Sequence, residues 1–149
     1  MNWRAGPENY IPSTDQNEYD MIISAVDLPS VRTEIADCLF DNTVIWLDMG
    51  NAEHHGQAVL GRIERNNKKS IYPHVLDHYE EIRDMADDVK KSCSSAESLA
   101  SQGMLVNRTI TCSGMNMVWD LLRHGETTKN MSFINLESGE QSTAHFISP

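Results

Sequence analysis

Two short apolar runs, each closed by an acid, constrain this chain more than any other feature. Met21-Ile22-Ile23-Ser24-Ala25-Val26 ends at Asp27, and Thr43-Val44-Ile45-Trp46-Leu47 ends at Asp48. Runs that are apolar on both faces read as buried strands of a parallel sheet. Between them Val31, Ile35 and Leu39 recur at helical spacing, with Ala36 and Cys38 filling in, so a helix runs to about Phe40. A strand, a helix and a second strand, with acids at the strand ends, is the layout of an open α/β sheet. Ligands of such sheets sit beyond the carboxyl ends of the strands. The turn Asp27-Leu28-Pro29-Ser30 is therefore the first place to look for a site, with Arg32 one turn into the helix.

The rest of the chain is arranged around that core. Residues 1–18, with Pro7, Pro12 and Ser13, read as a loop-rich lead-in. Met49 to Gly56 reads as loop, and Gln57 to Ile63 as a third strand. Residues 64–92 are polar and acid-rich and read as a crossover segment, with a short helix over Tyr79-Glu80-Glu81-Ile82-Arg83. Another short helix follows Cys93 and stops at Gly103. Met104 to Arg123 is the strongest helical pattern, lined by Leu105, Ile110, Met117, Leu121 and Leu122, with Gly125 just past its end. Met131 to Leu136 and Thr143 to Ile147 read as a terminal β-hairpin. The whole is one α/β domain over 1–149.

Charge and cysteine usage narrow the classes of function. The net charge is -10 across 149 residues, and the basic pairs Lys68-Lys69 and Lys90-Lys91 make no patch, so nucleic-acid backbone binding is not expected. No apolar run approaches the ~18 residues of a membrane span, so no membrane association is expected. Three cysteines without a C-x-x-C pair fit a reducing cytoplasm better than a disulfide framework or a structural zinc site.

Three residues carry candidate chemistry. Asp27, at a strand's carboxyl end, can hold Mg²⁺, which takes one or two carboxylates together with phosphate oxygens; the same atoms would also serve as a helix cap. Arg32 can meet a phosphate or pair with Asp27. Cys93 follows Lys90-Lys91 and precedes a helix start, and both features favour the thiolate; a loop cysteine with no role is the plain alternative. Cys38 and Cys112 fall in apolar helices and read as core packing, and His54-His55 as a solvated loop.

Taken in order, these pieces resemble the ThiF-type, ubiquitin-activating-like adenylating enzymes. The resemblance rests on Ser24-Ala25-Val26-Asp27, Arg32, Trp46-Leu47-Asp48-Met49-Gly50-Asn51 and Gly56-Gln57-Ala58-Val59-Leu60-Gly61. Ser92-Cys93-Ser94-Ser95-Ala96-Glu97-Ser98-Leu99, Asn107, Trp119-Asp120-Leu121-Leu122-Arg123-His124-Gly125 and Phe133-Ile134-Asn135-Leu136 point more narrowly to the ThiF member of the PRTRC system. The resemblance implies a partial Rossmann-like sheet that uses MgATP to adenylate the C-terminal glycine of a ubiquitin-like protein. It implies Asp27 as the acid associated with ATP and Mg, Arg32 as the basic catalytic residue that follows it, and Cys93 as a thioester nucleophile. It also implies a homodimer and possible transfer to a conjugating enzyme. The family's Gly-rich phosphate turn would lie ahead of the first strand and is missing from this sequence, so the chain reads as the carboxyl-terminal portion, needing a complementary piece. The alternative is a non-catalytic relative that docks a ubiquitin-like protein or its conjugating enzyme.

Overall fold

The computed structural model describes residues 19–39, 43–65, 70–87 and 105–145. In chain order these hold β1 (Met21–Ser24), α1 (Pro29–Cys38), β2 (Val44–Asn51), β3 (His55–Ile63) and α2 (Val75–His78). A 3-10 turn (Glu80–Asp84), α3 (Val106–His124), β4 (Lys129–Asn135) and β5 (Glu140–His145) complete them. Among the described residues the strands form one five-stranded sheet in sequence order, β1-β2-β3-β4-β5. β1 and β2 are parallel, and every later pair is antiparallel. The fold is thus mixed α/β.

Alternation along the strands sorts the core into two layers, because successive side chains leave a strand on opposite faces. Val44 and Trp46 of β2 and Val59 and Ile63 of β3 pack with Ile35, Ala36 and Leu39 of α1 and with Val75 and Leu76 of α2. Leu47, Met49, Ala58 and Leu60 face the other way, onto Val106, Ile110, Met117 and Val118 of α3. Gly114 allows α3 to lie close to the sheet: a Cβ there would fall 3.0 Å from the Met49 Sδ and 3.3 Å from Leu47. Gly125 ends the helix in the left-handed conformation (φ 78°), its N–H donating to the Leu121 carbonyl, as the sequence leads one to expect.

Several sequence expectations need correction. Met49 to Asn51 is strand rather than loop, so the β2–β3 connection is short and Asp48 lies inside β2. An acid in mid-strand reads as a terminator, yet this one is buried and fully hydrogen-bonded. β1 is apolar but not buried on both faces: Ile23 is exposed at the sheet edge. Asp27 does not cap α1, whose cap position is Leu28 with no side-chain hydrogen bond. Asp87 reaches back instead and accepts from the Ser30 N–H (3.0 Å) and hydroxyl (2.6 Å). Cys112 is exposed on α3, and Leu105 and Leu122 lie outside the buried face. The lead-in 1–18 and the helix expected after Cys93 fall outside the described residues.

Candidate site at the strand carboxyl ends

β1, β2 and β4 run in one direction, so their carboxyl ends gather at the same end of the sheet. A four-residue polar network lies just behind that end. The Trp46 indole N–H donates to the Ser24 Oγ at 2.8 Å, and the Ser24 hydroxyl donates to the Asp48 Oδ1 at 2.6 Å. The Arg32 Nε donates to the Asp48 Oδ2 at 2.9 Å. Register explains the meeting, since Ser24 pairs directly with Asp48 and α1 brings Arg32 onto the same face. Asp48 is 1% exposed and Arg32 8%, so this is an ion pair inside the protein, held by charge-assisted hydrogen bonds. Arg32 does not pair with Asp27. Its Nη2 reaches over Gly50, where a Cβ would stand 3.1 Å away.

Beyond the network the surface opens on both sides of the sheet. A cavity of about 380 Å³ lies between the strand ends and α3, bounded by Ala25, Met49, Asn107 and Thr111. A larger one, about 870 Å³, lies on the α1 side and is bounded by Arg32, Gln57, Met85, Phe133 and Asn135. Asp27, Gly50 and Asn51 line both. The Asp27 carboxylate belongs to an exposed residue, while the Asn51 Nδ2 is buried and finds no acceptor among the described residues. An orphaned donor where two cavities meet is a group a ligand can satisfy.

The residues fit one part of a magnesium–nucleotide site and not another. One carboxylate at the mouth, a cationic side chain on the wall and a cavity of ligand size suit a cation brought in on phosphates. Among the described residues no group of three His, Cys, Asp or Glu could hold a metal unaided. The amino terminus of α1, a natural phosphate seat, already faces the Asp87 carboxylate. The two Ser30 hydrogen bonds hold that carboxyl below its ordinary value. Cys93, the expected nucleophile, lies outside the described residues.

Sequence reasoning missed the Trp46–Ser24–Asp48–Arg32 network as a unit. The signal was present in the equal spacing of Ser24 and Asp48 along two paired runs, which the strand register converts into contact. No family model and no curated protein matches this chain.

Proposed function

We propose that this chain supplies the carboxyl-terminal part of an adenylating site, of the kind that uses MgATP to activate the C-terminal glycine of a ubiquitin-like protein. The observation that carries the reading is the exposed Asp27 at the end of β1, beside the orphaned Asn51 amide and the cavity-lining Arg32. It is supported by the order of motifs that resembles ThiF-type enzymes. When bound, the magnesium ion would neutralise phosphate charge as the modifier's carboxylate attacks. Asp27 would hold that ion, Arg32 would lend positive charge to the wall, and the Asn51 amide would donate to the ligand. The carboxylate would attack the α-phosphate and release pyrophosphate, and the Cys93 thiolate would then attack the acyl adenylate's carbonyl, forming a thioester and releasing AMP.

The reading requires a Gly-rich phosphate-binding turn beside this sheet. β1 offers it a place: among the described residues it is a sheet edge, parallel to β2, with Ile23 42% exposed and no proline or charge to block a further strand. This reading places the complex in the cytoplasm. One observation favours the other reading, a docking module without chemistry: Asp87 fills the α1 amino terminus with a carboxylate.

ATP–pyrophosphate exchange separates the two. The chain is assayed with a candidate ubiquitin-like protein and with a Gly-rich βαβ fragment supplied separately. The adenylating reading expects exchange that Asp27→Ala abolishes. Binding of the ubiquitin-like protein with no exchange in any combination leaves the docking module.

A further inference from the structure

The larger cavity sets one cation among several acids. Among the described residues it is lined by the carboxylates of Asp27, Glu53 and Glu140 and by the Arg32 guanidinium. A flexible guanidinium in such company pairs with whichever carboxylate it can reach. Asp27 stands first, in the turn that leads into the helix bearing Arg32. That pairing would cancel the two charges that a metal-bound phosphate needs kept apart. Arg32 is held elsewhere.

Asp48 holds it from within β2. Its Oδ2 accepts from the Arg32 Nε at 2.9 Å, a hydrogen bond that leaves the two Nη groups uncommitted to Asp48. Nη2 lies over Gly50, at the cavity wall. The other carboxylate oxygen is fixed by the Ser24 hydroxyl at 2.6 Å, and Ser24 in turn by the Trp46 indole at 2.8 Å. With both oxygens engaged and 1% exposure, Asp48 is itself out of a ligand's reach. We propose that Asp48 is a positioning residue, which keeps Arg32 off Asp27 and aims its Nη groups at the phosphate of a metal-bound ligand. Ser24 and Trp46 serve it by fixing the carboxylate's orientation. The proposal rests on the adenylating reading and adds to it a residue that touches neither metal nor phosphate.

The test titrates the full chain with magnesium pyrophosphate and follows the Arg32 Nε–H and the Asp27, Gly50 and Asn51 amides by NMR. All four should move together in wild type. Asp48→Asn keeps the side chain's shape and removes its charge, and two accounts of Asp48 then differ in sign. A mere counter-charge, once removed, leaves Arg32 more positive and pyrophosphate bound more tightly. A positioning residue, once removed, frees Arg32 to pair with Asp27, and binding weakens about tenfold. Ser24→Ala keeps both charges and deletes one hydrogen bond to Asp48, so it serves if Asp48→Asn fails to fold. It should weaken binding about threefold, with an unchanged circular dichroism spectrum. Asp48→Asn or Ser24→Ala binding as tightly as wild type overturns the proposal. So does a wild-type Arg32 resonance that stays still while the three amides move, an outcome that spares the adenylating reading. Amides that do not respond at all overturn both.

Discussion

Removing the Arg32 guanidinium leaves the Asp48 carboxylate buried without its counter-charge. Breaking such a pair by deleting one partner is far more damaging than never having had it. Arg32→Ala should therefore lower stability by about 3–5 kcal/mol, read from urea unfolding. Asp27 makes no such contribution, since it is exposed and does not cap α1. Asp27→Ala should change stability by no more than about 0.5 kcal/mol while removing the ligand's carboxylate. The pair of variants thus separates architecture from chemistry. In the sequence the two acids looked alike, each closing an apolar run. What distinguishes them is three further residues of strand after Asp48, together with a partner strand and a helix that bury it. Those are tertiary facts, and a run of side chains does not display them.

At the level of elements, Gly61 sets how closely the segment before α2 approaches β3. A Cβ at Gly61 would overlap the Pro73 carbonyl oxygen and the backbone of His74. The neighbouring Arg62 N–H donates to the Tyr72 carbonyl at 2.9 Å, so the segment runs along the strand and cannot simply step back. Gly61→Ala should destabilise by about 1–3 kcal/mol, visible as a lowered urea midpoint with an unchanged slope. The strands themselves were legible because apolar runs and turn residues mark them. The parallel pairing of β1 with β2 was legible as well, but the direction of β3 was not. β3 runs antiparallel to β2 through a short turn, and nothing in Gln57 to Ile63 states a direction. α3 was legible through its 3.6 period and Gly125, but its exposed apolar residues merged with the buried ones in the sequence. Leu105 and Leu122 were assigned to the buried face and belong to the exposed one.

For the molecule as a whole, one route by which acid acts is His74. Burial lowers this imidazole below its ordinary 6.5, Asp77 opposes the shift, and Arg83 and His78 add to it. Its ring packs against Trp46, with centroids 5.5 Å apart. The unfolded chain takes up the proton at a higher pH than the folded one, so acid favours unfolding. His74's contribution is complete above pH 6.5 and drains away as the pH falls through and below that value. Tm should fall between about pH 7.5 and about pH 5.5, and His74→Phe, which keeps a ring against Trp46, should flatten that fall. The sheet order, the two layers and the shared mouth of the cavities are likewise properties of the whole. They follow from register and packing, which the local pattern only permits.

The most direct test of the central claim, that the carboxyl ends of β1 and β2 form a ligand site around Asp27, is an amide chemical-shift titration with MgATP. It is recorded with and without the complementary Gly-rich fragment, on wild type and on Asp27→Ala. The account predicts shifts concentrated at Asp27, Gly50 and Asn51 in the wild-type complex, and their disappearance in the variant. Shifts located elsewhere, or undiminished by Asp27→Ala, would contradict it.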